Sequence, residues 1–485
     1  MGSSESNEHF CDADKFELRP YQKYCIENIK KKNLLVFHQL GSGKSITFVM
    51  SANELHMDTI FMSPASLQQN MIAYLKKYKI GDYLIYNMPY NSPALLKHYQ
   101  NIETFDNKFV VIDEAHLFFQ NVISKSSKNS KFIYNKLLNA KNTKIMLLSG
   151  TPIIGDPYEL SPLFNLLCAE KLPTDRKTFY KTFISDKIKP KMINKDLFYS
   201  IIHGHTSFYP GIKDPHHHVV PYVHKTEYVY CRMGEYQWSS YKTARDLERK
   251  ITPEKIDLFT NFIAFRLGSL SACNFGFPDG IDGTTEEKWL KLLEKKSPKE
   301  IYDNLPKYSI KLINLIEKLT HQRTFIYSRF RVLGGTLISL MLQQRGWKLY
   351  DPYLEEKSDK TFALIDGTTK NTEEIIDAYN REEFNLLIGT SVISAGVSLF
   401  NVRVIHIFDV QWRTNQTKQI IGRAVRLCSH KSLPIEERDV KVYQYLSVIS
   451  KSYKGEVYSS EIVVDESAKK RNELIEQFLT VVKNS

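Results

Sequence analysis

The stretch from Asn33 to Thr47, NLLVFHQLGSGKSIT, restricts what this chain can fold into more than any other. Leu34, Leu35, Val36 and Phe37 read as a short apolar strand, followed by a glycine-bearing turn and a helix opening at Lys44 and Ser45. Only glycine lets backbone approach a phosphate chain closely, which makes Gly41, Ser42 and Gly43 candidate phosphate ligands. The helix start adds unpaired N–H donors and a partial positive charge, Lys44 a mobile cation, and Ser45 a hydroxyl for Mg²⁺. The full phosphate-loop pattern has glycine at its first position, where this chain has His38. Such a loop needs a second half elsewhere in the chain.

That half recurs at the ends of apolar runs. DTIFMSPASLQQNM reads as a strand closed by Ser63 and Pro64, and NKFVVIDEAH as a strand over Phe109–Ile112 that ends in Asp113, Glu114, Ala115 and His116. In an open parallel sheet the chemistry sits at that C-terminal edge. There Asp113 can hold Mg²⁺ through water, and Glu114 can orient an attacking water. TKIMLLSGTPIIGDP repeats the form, with Ser149 and Thr151 at the strand tip. Upstream, FELRPYQKYCIENI reads as a helix entered through Pro20, and its Gln22 is either an adenine contact or a solvated polar residue.

From Tyr158 to about residue 195 the pattern is helical and lysine-rich, a protrusion from this first half. GHTSFYPG and His216–His218 follow as loop; three adjacent histidines cannot face one ion on a regular element. Residues 219–231 alternate as a strand returning to the first sheet's edge. Gln237 to Pro306 reads as a polar helical connector, broken at FGFPDGIDG. From Tyr308 a second strand and helix rhythm begins: SIKLINLIEKL, RTFIYSRF, TLISLMLQQRG, TFALIDGTT, TEEIIDAYN, NLLIGTSVISAGVSL and VRVIHIFDVQW. It has no phosphate loop, but QIIGRAVR follows its last predicted strand. Arg423 and Arg426, three apart, share a face if helical, either as γ-phosphate ligands or as a surface salt-bridge helix. The tail, 451–485, ends in an amphipathic helix with Leu474, Phe478 and Val481 or Val482 on one side.

A formal charge of +12 over 485 residues suits a polyanionic partner. The six cysteines lie far apart with no CxxC pair, against a zinc site or disulfide framework and in keeping with a reducing compartment. No apolar run approaches the roughly 20 residues that span a bilayer, so no membrane partner is expected. The N-terminus is polar; Gly2 and Ser6 fit a short acylation pattern, and a disordered tail over 1–15 is the simpler reading.

Taken in order, GSGKS, SPASL, DEAH, SGTP, FIYSRF, GTSVISAGVSL and QIIGRAVR resemble the superfamily 2 helicase-type ATPases. SGTPI, FDVQW and LRPYQ lean toward the Swi/Snf-like branch. LLVFHQLGSGKS, VVIDEAHLFFQN and IIGRAVRLCSH resemble its viral members, the poxvirus early transcription factor small subunit and nucleoside triphosphate phosphohydrolase. The likeness runs from about residue 16 to 450, and the chain lacks the long C-terminal part of those two proteins.

The resemblance implies an α/β fold of two tandem RecA-like P-loop lobes with helical insertions. Lobe 1 would span 16–231 with a protrusion at about 158–200, a connector 232–306, lobe 2 307–450, and a brace helix 451–485. It implies ATP bound by Gln22, Gly41, Ser42, Gly43, Lys44, Ser45, Gly396 and Gln419, with Mg²⁺ on Ser45 and Asp113. Glu114, Arg423 and Arg426 would drive hydrolysis, while Ser149 and Thr151 couple it to lobe motion. Ser63, Thr151, Thr390 and Ser391 would touch nucleic-acid backbone, which positions without reading sequence. The implied activity is a DNA-dependent ATPase or translocase in viral transcription, at early initiation or termination. A strand-separating DNA or RNA helicase and an ATP-switched transcription-factor subunit are the alternatives. Viral RNA polymerase or a transcription-factor subunit would be its protein partner, in host cytoplasm and virion.

Overall fold

The structure, a computed structural model, describes residues 17–39, 42–65, 85–124, 127–185, 190–211, 219–251, 266–276, 286–353, 359–394, 397–453 and 456–485. These form two compact units, one of residues up to 211 together with 470–485, the other of 219–469. Each is a parallel sheet flanked by helices.

The first unit's sheet holds β1 (Leu34–His38), β2 (Thr59–Ser63), β3 (Ile85–Pro89), β4 (Phe109–Ile112), β5 (Lys144–Ser149) and β6 (Thr206–Tyr209). Their order is β3-β2-β4-β5-β1-β6, all parallel, with β1 set between β5 (Leu34 opposite Met146) and β6 (Leu35 opposite Thr206). Every residue of β1, β2 and β4 is buried. Strands covered by helices on both faces carry near-continuous apolar runs rather than alternating, which is why LLVF, IFM and FVVI read as they do. Because the strands are parallel, His38, Ser63, Asp113 and Ser149 all emerge at one edge.

Two strands here escape the sequence reading. GHTSFYPG reads as loop, yet Thr206–Tyr209 pairs with β1; its glycine and proline flanks mask the strand propensity of Thr206, Phe208 and Tyr209. β3 carries Asn87 and Pro89, both poor strand formers, and its partner β2 holds it in register. The helix Ser460–Lys483 contributes its second half to this unit. Leu474, Phe478 and Val482 are buried, and Phe478 packs against Phe179 and Phe198 of the helices Arg176–Phe183 and Lys195–Ile202. Val481 is half-buried at the side of this contact.

The second unit's sheet contains β7 (Tyr222–Val223), β8 (Glu227–Arg232), β9 (Thr324–Tyr327), β10 (Lys348–Leu349), β11 (Thr361–Ile365), β12 (Leu386–Gly389), β13 (Val404–Ile407) and β14 (Asp439–Val448). The order is β10-β11-β12-β9-β13-β14-β7, and β8 also runs along β14. This corrects the expected return of 219–231 to the first sheet: Glu227 to Arg232 pairs with Tyr443 to Val448. The cause is β14 itself, a ten-residue strand that sequence reading passed over and whose open edge accepts β7 and β8. Val229 and Cys231 then share a core with Tyr445 and Leu446. The connector helices Glu235–Ile251, Leu267–Asn274, Glu286–Glu294, Pro298–Asp303 and Leu305–Tyr308 belong to this unit as well. FGFPDGIDG from 277 onward and His216–His218 lie outside the described residues.

Candidate active site

In the first unit the strand β1 delivers the chain at its C-terminal edge, and the helix Lys44–Leu55 leaves from there. Gly43 caps that helix in the left-handed region, φ +74°, and a Cβ on it would lie 2.7 Å from Gln22 Nε2. Glycine is therefore required twice over, for conformation and for space. Leu40 and Gly41 lie outside the described residues. Ser42 is buried, and its Oγ has no hydrogen-bond partner among the described residues. An orphaned buried hydroxyl inside a glycine turn at a helix start is what a phosphate oxygen would satisfy.

Lys44 Nζ donates to His38 O at 2.9 Å and Gln39 O at 3.4 Å. Burial lowers its pKa, and the carboxylates of Glu114 and Asp113 work in the opposite direction. Helix residue Ser45 follows, half-buried. His38 itself is buried, with Nε2 2.9 Å from Ser207 Oγ. Burial, and then the charge of Lys44, push its pKa down to about 3, so the imidazole is neutral at physiological pH. The departure from glycine at this position thus puts a neutral ring into the sheet, while its backbone carbonyl receives the lysine.

Gln22 does not stand open to a base. Its Oε1 accepts from Arg19 N at 2.9 Å, and its Nε2 donates to Ser42 O and Gly43 O, both at 3.3 Å. With the residue 3% exposed, the amide is spent bracing the loop. Tyr21 helps, its hydroxyl donating to Ser42 O at 3.0 Å while its ring stacks on Tyr209 at 3.7 Å.

Next to this loop, β4 ends in Asp113 and Glu114. Asp113 Oδ1 accepts from Glu114 N at 2.9 Å. Burial first, then the neighbouring Glu114, push the Asp113 carboxyl up to about 7, against the opposing pull of Lys44. A buried carboxylate with this penalty and a serine hydroxyl at the adjacent helix start form a donor set that suits a hard divalent cation. Glu114 adopts φ 45°, ψ 47°, left-handed geometry that a residue with a Cβ resists. His116 Nδ1 sits 3.5 Å from Glu114 Oε2 and 2.9 Å from Ser149 Oγ. Ser149 Oγ in turn accepts from Thr151 N at 3.0 Å. A continuous polar path therefore runs from the carboxylate turn to the tip of β5.

In the second unit, Gln419 and Arg423 sit one turn apart on the helix Thr414–Ala424 and line a cavity of about 60 Å³ with Phe325, Tyr327, Ile393, Gln416 and Ile420. Arg426 does not share their face, because the helix ends at Ala424 and Val425 leaves helical geometry. The Arg426 guanidinium donates to Gly422 O at 3.0 Å and to Ser398 Oγ. Gly396 lies outside the described residues.

Of the expected nucleic-acid contacts, Ser391 is exposed and Thr151 half-buried. Ser63 is 0% exposed and Thr390 2%, so their side chains do not present themselves at the surface as expected. Ser63 Oγ lies 3.4 Å from Pro64 O, and the Thr390 methyl packs toward Gly335. Residues that sequence reading missed include Tyr90, whose hydroxyl lies 3.1 Å from both Asp113 O and Glu114 O. Nothing local marked it, since the strand β3 that it follows was itself not legible in the sequence.

Residues 48–262 match the SNF2-related domain model and 307–428 the helicase conserved C-terminal domain model. A protein assigned as an ATP-dependent RNA helicase in Acanthamoeba polyphaga mimivirus is 26% identical over 90% of this chain and 84% of its own length. A termination factor NPH-I homolog of African swine fever virus is 23% identical over 86% of this chain and 69% of its own. The helicase domain of Pyrococcus furiosus Hef aligns over 89% of this chain and 95% of that chain, at 14% identity and a TM-score of 0.46.

Proposed function

The chain belongs to the Swi/Snf-like branch of the superfamily 2 helicase-type ATPases, of the kind that large DNA viruses carry, and we propose that it hydrolyses ATP to move along DNA during viral transcription. One observation carries the reading. Lys44, the Asp113–Glu114 turn and the Ser149–Thr151 tip emerge at one sheet edge, and His116 links the last two.

ATP would take the place that Lys44 keeps for it, drawing Nζ off the His38 and Gln39 carbonyls toward phosphate oxygens. Backbone N–H groups of the turn and the helix start would hold the phosphates, with Ser42 Oγ gaining a partner that it lacks among the described residues. Ser45 and Asp113 would hold Mg²⁺, which when bound neutralises phosphate charge. Glu114 would orient the attacking water. His116, Ser149 and Thr151 would pass the change at that turn to the β5 tip. Arg423 is proposed to add positive charge to the transition state and Gln419 to support it. Arg426, tied to Gly422 and Ser398, is proposed to hold the end of that helix. Gln22 is proposed as a brace of the loop. Ser391 and Thr151 would meet nucleic-acid backbone.

The termination factor homology favours a role at the end of viral transcripts, with viral RNA polymerase or a transcription-factor subunit as partner, in host cytoplasm and virion. Among the described residues no helix is long and apolar enough to cross a membrane. The mimivirus relative's assignment as an RNA helicase supports a second reading, strand separation. ATP turnover measured without polymer and with single-stranded DNA, duplex DNA or RNA tests the proposal. Stimulation by duplex DNA without strand separation is the expected result. Turnover that no polymer stimulates would overturn the motor reading.

A further inference from the structure

The turn Asp113–Glu114 is tied to β2 by Asp113 N, which donates to Met62 O at 2.8 Å, and both of its carbonyls meet one hydroxyl from outside its own strand. Tyr90 follows β3, is 2% exposed, and donates its single O–H between two carbonyls, Asp113 O and Glu114 O, each 3.1 Å away. Its own position is fixed on two sides. Tyr90 N donates to Ser63 O at 3.2 Å, and its ring meets the Phe118 ring edge-on at 5.6 Å between centroids. Phe118 belongs to the helix Ala115–Ile123 that begins directly after Glu114. Glu114 needs such a restraint, because its left-handed backbone is one that a residue with a Cβ leaves readily unless the surroundings hold it. Rotation of that peptide would swing the carboxylate away from any water it orients. Leu117 N donates to Glu114 O at 2.8 Å, which pins the far side of the turn. Among the bonds described, only the tyrosine hydroxyl reaches the Asp113 carbonyl.

We propose that Tyr90 is a positioning residue for ATP hydrolysis, its hydroxyl fixing the Asp113–Glu114 turn so that the Glu114 carboxylate faces the attacking water. This rests on the reading of Glu114 as the water-orienting group. Tyr90 touches neither substrate nor metal in this role; it acts through the backbone of its neighbours. A misplacement of about 1 Å can cost up to a hundredfold in rate, so loosening the turn should be visible in turnover alone.

Tyr90→Phe keeps the ring and its contact with Phe118 and deletes only the hydroxyl. In the full chain with Mg²⁺ and a stimulating polymer, we expect kcat to fall about tenfold while KM for ATP and the affinity for a fluorescent nucleotide stay within about twofold. A structural role would move affinity and melting temperature together with turnover. A double-mutant cycle separates the two further. With Glu114→Gln the carboxylate to be positioned is gone, so adding Tyr90→Phe should cost nothing more in residual turnover. Full additivity in that cycle, or unchanged kcat for Tyr90→Phe beside an active wild type, overturns the proposal and leaves the hydrolase reading standing. A folded wild type that turns over no ATP overturns the hydrolase reading itself.

Discussion

Lys311 offers the most severe test of how the second unit is held together. Its side chain is 0% exposed and that of Glu461 1%, with Nζ 2.5 Å from Glu461 Oε1 and 2.9 Å from Asn274 Oδ1. Glu461 Oε2 accepts from Ser447 N at 2.6 Å. Asn274 continues to Asp409, which Ser328 Oγ and Arg329 N hold at 2.5 and 2.8 Å. Burial pulls the Lys311 pKa down, yet Glu461 and its neighbours raise it above that of a free lysine. Burial also raises the Glu461 carboxyl, against the pull of Lys311.

Lys311→Met removes the cation and leaves a buried carboxylate without its partner, which costs about 3–5 kcal/mol. At about 2–4 °C per kcal/mol for a unit of this size, the melting transition should drop by about 6–20 °C. Lys311→Met with Glu461→Leu removes both charges and should recover most of that loss, because an apolar pair of similar volume avoids the desolvation penalty. The single variant also carries a pH signature. Its lone Glu461 has a folded-state pKa above the unfolded value, so the native state takes up the proton first. Stability is therefore regained as pH falls toward that raised pKa and lost as pH rises through it. Thermal melts of the three proteins across pH check all of this. A single-variant loss under about 1 kcal/mol, or a double variant no better than the single, refutes the account of a mandatory buried pair.

Lys44→Ala should abolish ATP turnover, whereas Arg423→Ala should lower kcat by about 10³–10⁵ and spare nucleotide binding, read by fluorescent-nucleotide titration beside steady-state kinetics. Gly43→Ala puts a Cβ against Gln22 Nε2 in left-handed backbone; a stability loss of about 1–2 kcal/mol by chemical denaturation, with weakened nucleotide binding, is expected. Asp113 has its folded-state pKa raised to about 7, so without metal its contribution to stability is greatest below the unfolded carboxylate range and falls as pH rises through about 7. The proposed Mg²⁺ ligation requires the deprotonated form, and the effect of Mg²⁺ on melting temperature should shrink as pH drops through about 7. A Mg²⁺ effect independent of pH there would remove Asp113 from the metal site.

Much of the candidate site was legible because its sequence signals are local. A glycine turn before a lysine, and carboxylates just past an apolar run, each announce themselves within ten residues or so. The helix–loop contact of Gln22 was not legible in that way. Its place upstream of the loop was visible, but which of its atoms met Ser42, Gly43 and Arg19 depends on how the helix Pro20–Ile29 lies over the turn. Arg426 failed for a related reason: spacing of three implies a shared face only while the helix lasts, and it stops at Ala424.

By itself the sequence determined that two α/β units with parallel sheets would form, and that Lys44 and the Asp113–Glu114 pair would follow the ends of apolar strands. Those follow from apolar runs and from residue types with few alternative uses. Only the tertiary structure decided that Glu227–Arg232 joins β14, that Thr206–Tyr209 completes the first sheet, and that Tyr90 reaches the carboxylate turn. A strand's periodicity says which of its faces is buried, but not which open edge will accept its N–H and C=O groups. A hydroxyl's partner is likewise fixed by packing between segments far apart in the chain, and no local pattern records it.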